Sequence, residues 1–359
     1  MIHAAVDGGN IMKKISVVGA GVMGTALAIH VAKNNFRVNL WGTKWDESTL
    51  KEMCQTGRSR LLDQDIPDNI ELFFEDGLEN ALEGTGMVIL AVSSAGLKSV
   101  VEMITPYLGP DSILLSITKG IDEERLCTMS RLIEEILPGN LLGKVAVVKL
   151  GGPLRANELA WNKYAEGVFA SKDREAARCC QQVFSSPKFR AGITTDIEGV
   201  ELCAALKNAY AIAIGMVEGL EGEADNPKAA LMARGSVEMA EILKANGCNG
   251  ETALGIAGVG DYYVTAQGGR NRTLGKLIGE GNSFDEALRI MKNQTVEGVP
   301  AAKSGYMLVT RLQEQGKLNI KEQAYLLNQL YRVLFEGVSA AEAMEEYWKN
   351  EKKNNAVFH

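Results

Sequence analysis

With 359 residues, the chain exceeds the size at which a single hydrophobic core keeps growing, which predicts two domains. Its 46% apolar and 23% charged residues are a globular composition, and a formal charge of −7 with no Lys/Arg-rich run excludes a nucleic-acid footprint. The six cysteines (Cys54, Cys127, Cys179, Cys180, Cys203, Cys248) include no C-x-x-C pair and read as the reduced thiols of a cytoplasmic protein.

Residues 1–13 read as a leader, without a secretory charge–apolar–cleavage pattern. No window approaches the roughly 20 apolar residues that a membrane span requires, so no stable membrane insertion is expected. His3 and His359 lie at the ends, leaving His30 alone in the body of the chain. Acid–base chemistry is therefore expected to avoid histidine, and no metal site is expected.

From residue 14 the chain alternates. The β-branched runs ISVVGA, RVNLWG, MVILAVS, SILLSIT and VAVVKLGG predict strands, and helical patterns such as TALAIHVAKNN lie between them. Strands apolar throughout, alternating with helices, imply a doubly wound α/β parallel sheet covered on both faces, a Rossmann-type domain over 14–195. From 196 to 359 the β signal vanishes and apolar residues recur at helical spacing, predicting an all-α second domain.

Directly after the first strand, GAGVMG sets Gly19, Gly21 and Gly24 in G-x-G-x-x-G spacing at the opening of a helix. The first glycine permits the turn, the second lets a pyrophosphate approach the backbone, and the third lets helix and strand pack closely. Free N–H groups at the helix start then favour the anion. The second strand ends in Trp41-Gly42-Thr43-Lys44, with Asp46 and Glu47 slightly late. An acid at the strand end would hold a ribose 2′-hydroxyl; its absence, with Lys44 nearby, leans towards NADP over NAD. Lys44 also reads as a solvated loop lysine.

SITKG puts Lys119 at the carboxyl end of a strand, facing the ligand crevice of a parallel sheet, or in a loop with no ligand role. In ELCAALKNAYAIAIGM, Lys207 and Asn208 interrupt an apolar helix. Burial there would make Lys207 a candidate proton carrier for a hydroxyl undergoing hydride transfer, whereas a surface setting would let it snorkel. Further on, Asp261 follows a Gly-Val-Gly turn, and Gly268-Gly269 introduce Arg270-Asn271-Arg272 at a helix start. A glycine turn, a helix N-terminus and an arginine fork suit a phosphate, although arginines there could also only cap and solvate the helix.

In order and spacing, GAGVMG, SITKG, GGPLRANE, ELCAALKNAYAIAIG, GVGDYYVTAQGGRNR and VEGVPAAKS resemble the NAD(P)-dependent glycerol-3-phosphate dehydrogenases. The resemblance implies a Rossmann domain and a helical substrate domain with the active site between them. It also implies reversible reduction of dihydroxyacetone phosphate to sn-glycerol 3-phosphate by NAD(P)H. By the same resemblance Lys207 is the proton donor or acceptor, Asp261 orients it, and Lys119 meets both substrate and cofactor. Gly152, Asn208, Thr265, Gly269, Arg270 and Asn271 complete the substrate set. Gly19, Gly21, Val22, Met23, Gly24, Trp41, Ala156, Arg270 and Glu297 join Lys119 around the dinucleotide. A homodimer acting on a phosphorylated small molecule is expected.

The sequence departs from the family at Leu154-Arg155, after Gly152-Pro153, and at Ser93 in place of a strand-end proline. A larger or differently substituted phosphorylated ketose would suit these changes. Two rivals share the fold: a β-hydroxyacid dehydrogenase, which needs a carboxylate site instead of a phosphate site, and a nucleotide-binding protein without turnover.

Overall fold

The computed structural model describes residues 14–350, together with the backbone of the short antiparallel pair β1 (Val6–Asp7) and β2 (Asn10–Ile11). The expected leader, 1–13, lies for the most part outside the described residues, as do His3 and His359. Two units are distinguishable: one running through Lys119 and resuming over Met129–Ile197, the other formed by Gly120–Thr128 and the chain from Glu198 on.

The first unit is built on one eight-stranded sheet. Its strands are β3 (Lys14–Val18), β4 (Arg37–Trp41), β7 (Ile70–Phe73), β8 (Met87–Leu90), β9 (Ile113–Ser116), β10 (Ala146–Gly151), β11 (Ala165–Ala170) and β12 (Phe189–Thr194). A two-residue pair, β5 (Arg58–Ser59) with β6 (Gln64–Asp65), stands apart. The order β12-β11-β10-β9-β8-β3-β4-β7 contains the doubly wound arrangement over its last six strands, with the order reversing between β3 and β8. Ligands bind at such a switch point, outside the carboxyl ends of the strands.

The sheet is not wholly parallel. β10 and β11 are antiparallel, so β11 and β12 run against the rest. Both these strands and β7 escaped the sequence reading because they carry polar or small residues, such as Glu166, Gly167 and Gly192, in place of a continuous apolar run. Helices α1 (Val22–Lys33), α2 (Glu47–Thr56), α3 (Leu78–Leu82), α4 (Ser94–Ile104), α5 (Met129–Ile136), α6 (Ala156–Ala160) and α7 (Arg174–Phe184) complete the unit. α1 is buried along nearly all its length, and Ile15, Val17, Leu27, Ile29, Leu40 and Phe169 sit in the core that it shares with the sheet.

The second unit is helical. Its axis is α8 (Ile197–Glu221), in which every residue from Gly199 to Val217 is buried. By length and composition this helix is apolar enough to cross a membrane, contrary to the window reading of the sequence, but the apolar stretch lies wholly inside the protein as a core helix. Around it are α9 (Asp225–Ala245), α10 (Asp261–Ala266), α11 (Arg270–Gly279), α12 (Phe284–Ile290), α13 (Gly298–Glu314), α14 (Ile320–Gln323), α15 (Tyr325–Phe335) and α16 (Ala340–Lys349). Buried Glu238 of α9 receives the N–H groups of Leu326 and Leu327 at 2.7 and 3.2 Å and so caps α15.

Gly120–Thr128, expected in the first domain, belongs to this unit for a physical reason. Ile121 sits in the helical core, Lys303 pairs with Glu123 at 2.8 Å, and Arg311 donates to the main-chain oxygens of Arg125 and Leu126 at 3.3 and 2.9 Å.

Candidate active site

In the sheet unit, the turn after β3 has the form that a dinucleotide needs. Gly19 adopts φ +111°, and a Cβ there would stand 2.5 Å from the oxygen of Ala91. A Cβ on Gly24 would lie 1.9 Å from the oxygen of Gly19, so helix and strand touch through backbone alone. At Gly21 nothing lies within 4 Å of a Cβ, leaving space above the N-terminus of α1 that a side chain would fill. The residues present therefore fit a pyrophosphate. Val22 is exposed at the helix start, while Met23 packs against the core behind it.

Trp41, expected near the cofactor, is 1% exposed, and its indole N–H donates to the oxygen of Glu75 at 3.2 Å. It supports the strand end with its side chain and does not offer an open face. Asp46 is also occupied: its carboxylate accepts from Thr43 N–H and Oγ1, both at 2.9 Å, in a capping box. Beside this turn lies a cavity of about 570 Å³ lined by Thr43, Lys44, Glu47, Lys51, Glu75 and others, with Lys44 exposed on Trp45.

Lys119 follows β9 and is half-buried. Gly152 (φ +119°) directly follows β10, where a Cβ would meet the Glu166 oxygen at 3.0 Å, so packing against β11 already demands glycine. Leu154 packs partly against the sheet core, Ala156 begins α6, Arg155 pairs with Glu158 in solvent at 3.5 Å, and Ser93 is exposed before α4.

In the helical unit, Lys207 is not on the surface. It is 1% exposed and forms an ion pair with Asp261, itself 3% exposed. Lys207 Nζ also donates to Thr265 Oγ1 at 3.0 Å, and the Thr265 hydroxyl donates to the Asp261 main-chain oxygen at 2.7 Å. Asp261 reaches this position from a π-helical turn, Ile256–Gly260, where the sequence suggested a simple glycine turn. Such turns often occur at functional sites.

Asn208 extends the polar set. Its Nδ2 donates to Ala204 O at 3.2 Å and to Glu297 at 3.5 Å; its Oδ1 accepts from Asn271 Nδ2 at 3.0 Å. Asn271 Oδ1 in turn accepts from Gly298 N at 2.9 Å. The Asn271 side chain is thus engaged in joining α8, α11 and α13. Gly269 caps that helix at φ +91°, with open space around its Cβ position, and Arg270 is exposed beside it.

The arginine fork expected from the sequence is not formed. Arg272 Nε donates to Glu218 at 2.5 Å and its Nη1 to Gln267 O at 2.6 Å. The hydrogen bond from Arg272 holds the Glu218 carboxyl below the usual carboxylate range. Arg272 thus ties α11 to α8, and Arg270 alone is presented outward from this pair.

Two structural features escaped the sequence reading. Four glycines let α8 and α11 meet backbone to backbone: a Cβ would fall 2.1 Å from Arg272 O at Gly215, 2.2 Å from Lys276 O at Gly219, 1.9 Å from Ile212 O at Gly275 and 2.1 Å from Met216 O at Gly279. Their four-residue spacing on both helices was a readable signal. Lys149, wholly buried in β10, was the other; a lysine inside an apolar strand was its signal.

The family comparisons agree with this geometry. Residues 14–177 match the family described as NAD-dependent glycerol-3-phosphate dehydrogenase N-terminus, and 196–345 match its C-terminus. An NADP(+)-dependent glycerol-3-phosphate dehydrogenase of Archaeoglobus fulgidus is 33% identical, the alignment covering 92% of this chain and 98% of that protein. A glycerol-3-phosphate dehydrogenase [NAD(P)+] of Clostridium tetani is 36% identical over 96% of this chain and 94% of its own length. The crystal structure of the Coxiella burnetii glycerol-3-phosphate dehydrogenase superposes with a TM-score of 0.79 at 29% identity, covering 94% of this chain and 99% of that one. The β-hydroxyacid alternative is not favoured by these matches. With both halves matched in order, the chain belongs to the NAD-dependent glycerol-3-phosphate dehydrogenase family.

Proposed function

We infer that the chain is an NAD(P)-dependent oxidoreductase that interconverts dihydroxyacetone phosphate and sn-glycerol 3-phosphate. One observation supports the assignment of roles: next to Lys207, which pairs with buried Asp261, Asn208 on the same helix is hydrogen-bonded to Asn271 at the N-terminus of α11. A proton carrier and an anion-binding helix end are thereby held in fixed register.

When bound, NAD(P)H supplies the hydride for the carbonyl carbon. Lys207 donates its proton to the oxygen developing negative charge there, and takes it back in the reverse direction. Asp261 and Thr265 hold the Lys207 amine in place. Arg270 and the N–H groups at Gly269–Asn271 bind the substrate phosphate by charge and by the helix dipole. Gly19, Gly21, Val22 and Gly24 hold the pyrophosphate, and Lys119 touches substrate and cofactor.

NADP is preferred in this reading because Asp46 is spent in the capping box and Lys44 borders the cavity at the end of β4. Lys44→Ala is expected to lower the NADPH-to-NADH ratio of kcat/KM, and an unchanged ratio removes the preference. A homodimer is also part of the reading, with exposed Leu254 and Tyr263 as apolar surface, and light scattering of the purified chain tests it. A reducing, cytoplasmic setting suits six cysteines that form no disulfide.

The direct test is oxidation of NADH and NADPH with dihydroxyacetone phosphate, beside a panel of other phosphorylated ketoses and a 3-hydroxy acid. Turnover confined to another member of the panel overturns the substrate assignment.

A further inference from the structure

β10 carries a lysine where a strand covered on both faces calls for an apolar residue. Lys149 is 0% exposed, between Val148 and Leu150, which are themselves buried. Burying an amine is costly unless it is hydrogen-bonded, so the position needs a reason. Its Nζ donates to the main-chain oxygen of Thr118.

Thr118 lies just past the end of β9, whose last ladder partner is Lys149 itself, across from Ser116. Beyond that point the regular ladder no longer fixes the chain, and other contacts take over. The Ile117 N–H donates to Leu90 O at 3.1 Å, the Thr118 N–H to Ser116 Oγ at 3.2 Å, and the Thr118 hydroxyl to Val92 O at 2.8 Å. Lys149 adds a contact from the opposite neighbour strand, and it holds the one carbonyl directly preceding Lys119. The chain then leaves through Gly120 at φ +142°, a conformation that L residues rarely adopt.

The peptide plane between Thr118 and Lys119 sets φ of Lys119 and so the direction in which its side chain starts. With an apolar residue at 149, the Thr118 carbonyl loses this buried donor, and the plane can rotate to seek another. We propose that Lys149 is a positioning residue: a buried strut that fixes the Thr118–Lys119 peptide and thereby aims the Lys119 amine. The proposal rests on the role given to Lys119 under Proposed function, and the experiment separates the two.

The test is a double-mutant cycle in the full chain with Lys149→Met, Lys119→Met and both together. It reads kcat and KM for dihydroxyacetone phosphate, the thermal midpoint and far-UV circular dichroism. The expected result is that Lys149→Met lowers kcat/KM by about 10- to 100-fold, the scale of a misplaced group. Its thermal midpoint stays level or rises, since replacing a buried charged group with an apolar one of similar volume is often neutral or stabilising. In the Lys119→Met background the same change costs less than about twofold, because there is no longer an amine to aim. Lys149→Gln, whose amide can still donate to the carbonyl, recovers part of the loss.

Losses that multiply independently, an unchanged kcat/KM in Lys149→Met, or a collapsed thermal midpoint explaining its lost activity each overturn the strut. An unchanged kcat/KM in the single Lys119→Met variant instead removes the role of Lys119, and is read separately.

Discussion

Lys207 and Asp261 pair in a setting almost free of water: their side chains are 2% and 4% exposed, and Thr265 accepts a further hydrogen bond from the same amine. A charge pair so placed contributes little to stability by itself, yet breaking it by removing one partner costs about 3–5 kcal/mol. Retaining it is therefore better explained by chemistry than by folding. Lys207→Ala should lower kcat by about 10²- to 10⁴-fold, the range of general acid–base catalysis, while NAD(P)H binding to the sheet unit persists. Steady-state rates and a fluorescence titration of the reduced cofactor check both halves of the statement. Turnover near the parent value in the folded variant removes the assigned role.

Arg270 and Arg272 are two residues apart but have different tasks. Arg270→Ala should raise KM for the phosphorylated substrate by about 10- to 100-fold, from the loss of a charge-assisted contact of roughly 1.5–3 kcal/mol, with little change in thermal midpoint. Arg272→Met should do the reverse, lowering stability first, because Glu218 is left 10% exposed and deprived of its strongest partner. Michaelis constants and melting curves of the two variants, compared side by side, separate these outcomes. A common effect on KM alone would restore the arginine fork that the sequence suggested.

What was legible in the sequence was what local chemistry dictates. Gly19 and Gly24 announce themselves because a turn and a close helix approach admit little else, Gly21 completes their spacing, and Lys207 stands out against an apolar helix. Asp261 and the start of α11 were readable from neighbouring glycines. Properties that depend on a distant partner were not. The diversion of Arg272 to Glu218 and of the Asn271 amide to Asn208 and Gly298 depends on which groups the fold brings within about 3 Å, the reach of a hydrogen bond. β11 and β12 were missed for a related reason: their pairing, and not their composition, makes them strands.

The glycine seam between α8 and α11 gives a third expectation. At Gly275 an added methyl would stand 1.9 Å from the main-chain oxygen of Ile212, a backbone atom that cannot swing away. Gly275→Ala should therefore push α11 outward and destabilise the chain by about 1–3 kcal/mol, as overpacking does. Because the Asn208–Asn271 bridge spans the same two helices, KM for the phosphorylated substrate should rise in parallel. Denaturant midpoints with kinetics test the coupling; lost stability with an unaltered KM would detach the phosphate site from the seam.

Gly21 and Gly24 separate ligand binding from folding. A methyl at Gly24 would overlap the oxygen of Gly19, whereas a methyl at Gly21 meets nothing within 4 Å. Gly24→Ala should thus yield little folded protein. Gly21→Ala should fold with a near-normal melting temperature but bind NAD(P)H at least about tenfold more weakly, as the methyl occupies the space that lets a pyrophosphate approach the backbone. Equal cofactor affinity in Gly21→Ala and the parent would place the dinucleotide elsewhere.

His30 supplies a pH dependence whose sign follows from its surroundings. It lies on the buried face of α1, stacks on Phe184 with ring centroids 5.7 Å apart, and its Nε2 meets Phe184 O at 2.7 Å. Burial is the main cause that holds its pKa below the ordinary 6.5, outweighing the carbonyl contact, which acts in the opposite direction. The unfolded chain therefore binds a proton that the folded chain resists between the lowered value and 6.5. The stabilising effect of keeping His30 neutral is fully present above 6.5, and is lost as pH falls from 6.5 towards the folded value. Denaturation midpoints of the sheet unit, read through Trp41, Trp45 and Trp161, should drop between about pH 7 and pH 5. His30→Gln, which does not titrate, should start lower and lose less over the same interval. Parallel slopes for the two proteins would assign the acid sensitivity to other groups.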